Sequence, residues 1–346
     1  MQTSIHGAAT SDVRVARLLD WLRDVLGARE IAIAPASEDA SFRRYFRVQR
    51  ESADLIVMDA PPDKEDVRPW LEVAAMLERI GVNAPRVLER NLDEGYLLIS
   101  DLGSRTYLAE FEAGGAANVL YDAAIAALVA IQSRGAADAS RLPPYDEALL
   151  RREMGLFPEW FLGRHLEVAL DASEVRTLAN VFEALVTSAL AQPRVFVHRD
   201  YHSRNLMVCG NDALGPSPGI LDFQDAVYGP VTYDLASLLR DCYVAWPGEW
   251  VAGWVDEFRR RAASAGVDTG PNEATFLEWF DLMGVQRHVK AIGIFARLWH
   301  RDGKRGYLKD IPRTLNYVYE VSRARPELHG LAELIDRRVL PRMEAP

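Results

Sequence analysis

The stretch from Val195 to Leu239 constrains this chain more than any other, because it places acidic side chains where short apolar runs end. The run VFV stops at the polar turn HRDYHSRN, which carries Asp200 and closes at Asn205. Two more apolar runs, LMV and IL, predict strands on either side of a Gly- and Pro-rich loop over 209–219. Asp222 follows the second run. The pattern predicts two carboxylates and one carboxamide at the ends of adjacent short strands.

Side chains of these types, in this order, are typical of phosphoryl transfer. The pattern H-R-D-x-x-x-x-N followed by D-F matches the catalytic and metal-binding loops of protein kinases. In that arrangement Asp200 accepts the proton of an attacking hydroxyl, and Asn205 and Asp222 hold Mg²⁺ against the nucleotide phosphates. Mg²⁺ prefers hard oxygen ligands, which carboxylates and carboxamides supply. We therefore predict ATP and Mg²⁺ as cofactors.

Composition and charge restrict the partners. The 346 residues are 49% hydrophobic and 26% charged, which is typical of a folded protein of one or two domains. A formal net charge of -10 argues against a general nucleic-acid or anionic-membrane surface. The sequence shows no signal-peptide pattern and no long apolar run, and Cys209 and Cys242 form no metal or redox motif. We expect a cytoplasmic protein, favoured as a monomer, that binds neither nucleic acid nor membrane.

The predicted elements divide the chain into a strand-rich first third and a helical remainder. Strands are expected near residues 31–35, 45–49, 55–59, 87–88 and 96–99, with helices ending near residues 26 and 80. Later helices are expected over 117–133, 145–161, 173–191, 233–243, 249–263, 273–301 and 312–324. We predict an α+β, bilobal protein-kinase-like fold. Its small antiparallel-sheet N-lobe covers 1–102, and its larger, mainly helical C-lobe covers 103–346.

The turn over 37–44, SEDASFRR, lies where a kinase fold covers the nucleotide phosphates, but it contains no glycine. Ala40 and Ser41 are small enough for their backbone N–H groups to approach a phosphate. Arg43 and Arg44 add charge, which arginine can supply through two parallel hydrogen bonds. An ordinary polar hairpin is the alternative interpretation of the same residues.

Two other positions bear on nucleotide binding. Met58 stands where a kinase has the strand lysine that pairs with the phosphates, so the cation has to come from elsewhere, with Lys64 as a candidate beside the two arginines. The segment ISDLG is the expected hinge, where the backbone at Ser100 and Leu102 would meet the adenine edge. A plain interdomain linker predicts the same residues.

The strings ISDLG, HRDYHSRNLM and LDFQDAVYGPVTYDLASLL occur in this order within about residues 28–325. Together they resemble the aminoglycoside phosphotransferase superfamily, which shares the protein-kinase fold. Its members carry an aspartate soon after the metal-binding aspartate, then a Gly-Pro turn and a Tyr-Asp-Leu helix start. The resemblance implies a kinase that acts on a small molecule.

A narrower resemblance rests on the strings DASFRRYFRV, VMDAPP, HRDYHSRNLM, LDFQDAVYGP and QRHVKAIGIFARL with RDGK. These look like the bacterial anomeric N-acetylmuramate/N-acetylglucosamine kinases of cell-wall recycling. Members phosphorylate the C1 hydroxyl of the reducing sugar with ATP, and they also lack the Gly-rich loop and the strand lysine. The resemblance implies an amino sugar and ATP as the small-molecule partners.

Several polar residues are candidate substrate contacts. Those beside the metal motif are His202, Arg204, Gln224 and Asp225, and Glu153 lies on a helix that a kinase-like fold brings to the substrate side. His202 is equally explained as a brace for the loop. Asp234 follows the Gly-Pro turn and is expected to cap the next helix.

A basic face is expected on the helix over 273–301. Arg287, Lys290 and Arg297 are spaced so that they share roughly one side of it. One interpretation is that Arg287 and Lys290 bind the acid or the hydroxyls of the sugar. The other is a solvated basic face that plays no part in binding.

Two other functions fit the sequence. One is a kinase of a different small alcohol, such as an aminoglycoside, choline or homoserine. The other is a non-catalytic nucleotide-binding pseudokinase, which the missing Gly-rich loop and strand lysine would allow. The presence of Asp200, Asn205 and Asp222 together favours an active kinase.

Overall fold

The computed structural model describes residues 13–37, 42–50, 53–210 and 214–343. Ala40 and Ser41, predicted to approach phosphate, lie outside the described residues. By their internal contacts the described residues form two compact units. Unit 1 comprises those up to Arg105 together with Cys209 to Gln224, and unit 2 comprises Thr106–Val208 and those from Asp225 onward. The lobe boundary expected between residues 102 and 103 stays a prediction.

Unit 1 is built on a five-stranded antiparallel sheet with the strand order β1-β2-β3-β5-β4. Its elements are α1 (Val13–Leu26), β1 (Ile33–Ser37), β2 (Arg44–Val48), β3 (Leu55–Asp59), α2 (Arg68–Ile80), β4 (Val87–Asn91) and β5 (Tyr96–Ser100), with the two-residue strand Gly219–Ile220. The small antiparallel sheet predicted for the N-terminal part is confirmed.

One face of this sheet is covered by α1. Leu18 and Leu22 are completely buried, and they pack in one cluster with Val48 of β2 and Val57 of β3. Helical spacing brings the two leucines to one side of α1, and strand alternation brings the two valines to one side of the sheet. Because side chains alternate, Tyr45 of β2 and Met58 of β3, which pair in register, belong to the opposite face.

Unit 2 is mainly helical. Its helices are α3 (Tyr107–Glu112), α4 (Ala117–Arg134), α5 (Ala136–Ala139), α6 (Glu147–Met154), α7 (Ala172–Ala191), α8 (Tyr233–Leu239), α9 (Gly248–Ser264), α10 (Glu273–Asp302), α11 (Ile311–Ala324), α12 (His329–Leu334) and α13 (Leu340–Met343). Two strands, β6 (Arg194–Val197) and β7 (Val227–Pro230), pair antiparallel, and Leu206–Met207 is a two-residue strand. None of the helices in the described parts of the chain is long and apolar enough to cross a bilayer.

The expected helix over 145–161 is wrong in its detail. The structure has α6 only to Met154, followed by a π-helix over Phe157–His165. Gly155 is the C-cap of α6, and Pro158 lies in the first turn of the π-helix. Proline has no N–H to donate to the preceding turn, so a regular α-helix cannot continue through it.

The helix α10 is the central element of unit 2, and every residue from Leu282 to Lys290 is buried. Its packing is close, because a Cβ on Gly293 would lie 2.5 Å from the carbonyl carbon of Leu156. Of the two interpretations of this basic face, the solvated one is therefore wrong for Arg287 and Lys290, which are 6% and 9% exposed. Periodicity shows which residues share a face of a helix, but it does not show what that face contacts.

A buried histidine on α10 predicts acid sensitivity. His288 Nε2 lies 2.7 Å from the Arg240 carbonyl oxygen, and its ring stacks on Tyr317. Burial, and then the charge of Arg287, lowers the pKa of His288 to about 3. The folded-state pKa is thus below the unfolded value of about 6.5, so this contribution to stability is complete above pH 6.5 and is lost as the pH falls toward 3.

We expect the free energy of unfolding of the wild type to fall by about 1.2 kcal/mol more than that of His288→Gln between pH 7 and pH 5.5. Urea titrations at the two pH values measure this difference. The matched control His329→Gln removes an exposed histidine and keeps the wild-type pH dependence. An equal fall in the wild type and His288→Gln would contradict the prediction.

Candidate active site

The polar turn after β6 is held by two buried carboxylates. Asp234, on α8, accepts hydrogen bonds from the backbone N–H groups of His198 (2.6 Å) and Arg199 (2.9 Å). Asp241, just past the end of α8, accepts one from the N–H of Ser203 (2.9 Å). Both carboxylates are 1% exposed or less. The segment from His198 to Asn205, which we call the catalytic loop, is therefore fixed near both of its ends.

The role expected for Asp234 is corrected by this geometry. The α8 helix begins at Tyr233, so Asp234 lies inside its first turn, and its carboxylate accepts amides of the catalytic loop instead of capping the helix. Burial raises the pKa of Asp234 to about 7, against the effect of the two amide donors. Its structural importance could be inferred from the sequence, but its partners could not.

Inside the catalytic loop, the chain closes around the backbone of Asp200. The carbonyl oxygen of Asp200 accepts hydrogen bonds from the N–H of His202 (3.1 Å) and from Nδ2 of Asn205 (3.0 Å). Arg199 has a φ of +76°, a left-handed conformation that costs a non-glycine residue about 1–3 kcal/mol. The predicted catalytic and metal residues of this loop are thus held in one turn, with backbone strain next to Asp200.

Cations surround the Asp200 carboxylate. Burial alone raises the pKa of Asp200, but the charges of Lys290 and Arg199 outweigh burial and hold it below its ordinary value. An ionised carboxylate can accept a proton from a hydroxyl group. The electrostatics therefore fit the predicted general base.

The cations next to Asp200 are themselves joined by Glu153. Its Oε1 accepts from Arg199 Nη2 and lies 3.2 Å from Lys290 Nζ, and its Oε2 accepts from the hydroxyl of Tyr145. Lys290 also donates to the hydroxyl of Tyr233 (3.0 Å). Burial alone raises the pKa of Glu153, but the charges of Lys290 and Arg199 lower it below its ordinary value. Glu153 and Lys290, predicted as substrate contacts, thus form a buried network with the catalytic loop.

The other predicted substrate residues of unit 2 have different surroundings. His202 is buried and contacts the ring of Tyr243, and the Arg204 guanidinium stacks on the same ring at 3.9 Å. Burial lowers the pKa of His202, so it is neutral at pH 7. Asp225 is exposed, and its carbonyl oxygen accepts from Arg199 Nη1. Arg287 is buried, and its Nη1 lies 3.7 Å from Cys242 Sγ.

Unit 1 carries Asp222, the second predicted metal ligand. It has a φ of +62°, and its Oδ1 accepts a hydrogen bond from Gln224 Nε2 (2.8 Å). The segment leading to it is fixed by Asn83, whose Nδ2 donates to the carbonyl oxygens of Leu214 (2.9 Å) and Pro216 (2.7 Å). Gln224, predicted as a substrate contact, therefore binds the carboxylate of Asp222, the predicted metal ligand.

The expected hinge of unit 1 is shaped by an arginine that the sequence interpretation missed. Arg47 Nη2 donates to Asp101 Oδ1 (3.2 Å) and to the Gly103 carbonyl oxygen (3.0 Å). The N–H of Leu102 has no acceptor among the described residues. Ser100, by contrast, is bound to the backbone of Arg86 through both its N–H and its Oγ. A salt bridge between a strand and a distant turn leaves no local signal in the sequence.

Arg43 and Arg44, both predicted to bind phosphate, differ in their position relative to β2. The carboxylate of Asp59, which is inaccessible to solvent, binds Arg44 Nη2 at 2.5 Å and Arg14 Nε at 2.5 Å. Arg44 and Asp59 pair in register, on the face of the sheet that α1 covers. Arg43 precedes β2 by one residue. The nucleotide role of both arginines stays a prediction.

Each of the two predicted metal ligands, Asn205 of unit 2 and Asp222 of unit 1, carries a type of oxygen that Mg²⁺ prefers. Asn205 and Asp222 offer hard oxygens. The side-chain amide of Asn205 donates its Nδ2–H to the carbonyl oxygen of Asp200, and its Oδ1 lies on the other side of the amide group. No group of three or more His, Cys, Asp or Glu that could hold a metal occurs in the parts of the chain that the structure describes. Mg²⁺ commonly takes one or two protein oxygens and completes its shell with water and substrate phosphates, so the residues present fit it.

Comparisons with known proteins agree with this chemistry. The chain is 47% identical over 336 residues to an N-acetylmuramate/N-acetylglucosamine kinase of Pseudomonas aeruginosa, with 94% of this chain and 97% of that protein covered. It is 42% identical over 326 residues to one of Neisseria meningitidis, with 93% and 95% covered.

Solved structures show the same fold at low sequence identity. An ADP-bound aminoglycoside phosphotransferase, APH(2'')-Ib, has a TM-score of 0.56 at 15% identity, with 88% of this chain and 98% of that chain covered. The choline kinase LicA from Streptococcus pneumoniae has a TM-score of 0.61 at 10% identity, with 88% and 99% covered. The predicted kinase-like fold is confirmed.

The family assignment rests on a match longer than the catalytic loop. The model of the phosphotransferase enzyme family, APH, matches residues 32–273, which include β2, β3, the expected hinge, the catalytic loop and Asp222. The chain therefore belongs to the phosphotransferase enzyme family.

Proposed function

We propose that this protein is an ATP-dependent kinase that phosphorylates the anomeric C1 hydroxyl of N-acetylmuramate and N-acetylglucosamine in peptidoglycan recycling. The observation that carries the proposal is the catalytic loop, which buried carboxylates hold through its backbone amides and in which neighbouring cations keep Asp200 ionised. The names of relatives that match over more than nine-tenths of the chain support the choice of sugar.

The transfer needs only one proton acceptor from the chain. Asp200 takes the proton of the sugar hydroxyl as its oxygen forms a bond to the γ-phosphorus of ATP. The bond between that phosphorus and the β,γ-bridging oxygen breaks, and ADP leaves. Asn205 and Asp222 would hold Mg²⁺, which offsets the phosphate charge when it is bound. The remaining catalysis is positioning and electrostatics.

The sugar contacts in this proposal are the residues predicted from the sequence, apart from Glu153 and Lys290, which bind each other. Asp225 is exposed and can accept hydrogen bonds from sugar hydroxyls, and Gln224 lies beside the metal aspartate. His202 and Arg204 belong to the catalytic loop, and both side chains contact the ring of Tyr243. Arg287 is the buried cation that would compensate the lactyl carboxylate of N-acetylmuramate.

For the nucleotide, we propose that adenine meets the N–H of Leu102 and that Arg43 binds the phosphates. Arg43 stands one residue before β2, so continued alternation would put it on the sheet face that carries Tyr45, Met58 and the hinge-binding Arg47, opposite α1. Arg44 belongs to the α1 face, where Asp59 compensates its charge. Arg43 therefore replaces the strand lysine, whereas Arg44 stabilises the sheet.

The two arginines offer a matched pair of variants. Arg43→Gln is expected to raise KM for ATP about 10- to 100-fold, because a hydrogen bond to a charged group contributes about 1.5–3 kcal/mol. Arg44→Gln is expected to leave KM for ATP near the wild-type value and to lower Tm, since Asp59 loses its ion pair with Arg44. Steady-state kinetics and thermal unfolding of both variants check this. The reverse pattern would contradict the assignment of the two faces.

A substrate screen with ATP consumption as the readout tests the proposed function. We expect turnover with N-acetylmuramate and N-acetylglucosamine, and none with choline, homoserine or an aminoglycoside. Turnover on one of those alcohols alone would replace the proposed substrate. ATP binding without turnover on any acceptor would indicate a non-catalytic protein.

A further inference from the structure

Glu153 occupies a position that is unfavourable for a carboxylate on two counts. It is 5% exposed, and burial of a charge is costly unless the charge is paired. It also lies in the last turn of α6, where the helix dipole disfavours negative charge. Residues that oppose local preferences in this way often serve a function, and the surroundings compensate for them.

The compensation comes from three different elements. Arg199 of the catalytic loop and Lys290 of α10 both bind Oε1, and Tyr145 donates to Oε2. The hydroxyl of Tyr145 in turn accepts from Gln286 Nε2 of α10 (3.1 Å). The carboxylate therefore connects α6, α10 and the catalytic loop through buried hydrogen bonds.

The segments that carry this network are closely packed against their neighbours. The N–H of Tyr145 donates to the Tyr228 carbonyl oxygen (2.9 Å), and a Cβ on Gly229 would lie 2.8 Å from the Tyr145 Cβ. Close packing of α10 on Leu156, just after α6, fixes the spacing between Glu153 and Lys290. A network with this little freedom can hold a strained backbone in place.

The strained backbone is that of Arg199, directly before Asp200. Asp234 binds the main chain of Arg199, whereas Glu153 binds its side chain. We propose that Glu153 is a positioning residue of the transfer reaction, which holds the catalytic loop through Arg199 and Lys290 so that Asp200 meets the sugar hydroxyl. This inference rests on the proposed function, and it assigns Glu153 and Lys290 to the loop instead of to the sugar.

The first test is the Glu153→Gln variant, with Lys309→Met as the control for an exposed charge. We expect kcat to fall about 10- to 100-fold, because small misplacements of a catalytic group have effects of this size. KM for ATP and for both sugars, and the preference between the sugars, should stay close to the wild type. A raised sugar KM with kcat retained overturns the inference and supports direct sugar contact. A lower Tm with unchanged kcat also overturns it.

The second test compares kcat of the single and double variants of Glu153 and Lys290. Glu153→Gln leaves the two cations together without their shared carboxylate, whereas Glu153→Gln/Lys290→Met removes one cation as well. Substitutions within one hydrogen-bond network have non-additive effects on free energy. The fold-loss of kcat in the double variant should therefore be smaller than the product of the fold-losses in the two single variants. A loss equal to that product would overturn the inference.

The third test does not depend on the substrate. We expect amide hydrogen exchange across His198–Asn205 to be severalfold faster in Glu153→Gln than in the wild type, and unchanged in Lys309→Met. Unchanged exchange in Glu153→Gln overturns the inference. If Glu153→Gln does not fold, Lys290→Met is measured in the same way with the same criteria. A wild type that phosphorylates no amino sugar refutes the proposed function, while the exchange result still decides the inference.

Discussion

Asp200→Asn is expected to lower kcat about 10²- to 10⁴-fold, the range over which a positioned general base contributes to proton transfer. The asparagine keeps the shape of the side chain but cannot take the proton of the attacking hydroxyl. KM for ATP should change little, because the proposed nucleotide contacts are Leu102 and Arg43. Steady-state kinetics with saturating sugar provides the measurement.

The control for Asp200→Asn is Asp24→Asn, which removes an exposed carboxylate on α1. Both variants should unfold at temperatures near that of the wild type, so that a loss of activity reports on chemistry. An Asp200→Asn enzyme that retains kcat within a few-fold of the wild type would refute the general-base assignment.

Asp234→Ala is expected to reduce the free energy of unfolding by about 2–6 kcal/mol and to abolish most of the activity. The carboxylate accepts two backbone N–H groups at a site with no solvent exposure. Each buried donor left without an acceptor costs about 1–3 kcal/mol. Because both donors belong to the catalytic loop, the loss of structure should begin there.

Asp146→Ala is the matched control for Asp234→Ala. Asp146 also accepts a backbone N–H, from Leu149, but it does so as the exposed N-cap of α6. Loss of an exposed N-cap costs about 1 kcal/mol, and activity should remain. Chemical denaturation of both variants gives the comparison, and an equal loss of stability in the two would contradict the role of Asp234.

The sequence predicts the parts of the site that depend on local order. The apolar run of β6, the acidic turn after it and Asp222 follow a fixed spacing along the chain, so the catalytic loop can be found without a structure. The strands of unit 1 are short apolar runs between turn residues, and the small antiparallel sheet predicted from them is confirmed. Both features come from residues that are neighbours in sequence.

The sequence does not predict which buried charges meet. Asp241 binds Ser203, and Glu153 binds Lys290, across long separations along the chain. Lys290 shows why these pairs cannot be predicted. Its spacing from Arg287 puts both residues on one side of the helix, and this spacing is the same whether that side is solvated or buried. Burial depends on the elements that pack against α10, and these come from the whole of unit 2.

Arg43 and Arg44 show a second feature that the sequence alone does not predict, which is the face of the sheet that a residue occupies. They are adjacent and chemically identical, so composition and spacing treat them alike. The register of β2 with β3 separates them, because it places Arg44 opposite Asp59. That register is a property of the paired sheet, and neither strand shows it alone.

The position of the transferred phosphoryl group tests the central claim most directly. The protein is incubated with Mg-ATP and N-acetylmuramate or N-acetylglucosamine, and the product is examined by phosphorus NMR. We predict one new phosphate monoester per sugar whose phosphorus couples to the anomeric C1 proton, and its loss in Asp200→Asn. A phosphate on another hydroxyl of the sugar, or ATP hydrolysis with no sugar phosphate formed, would contradict the account.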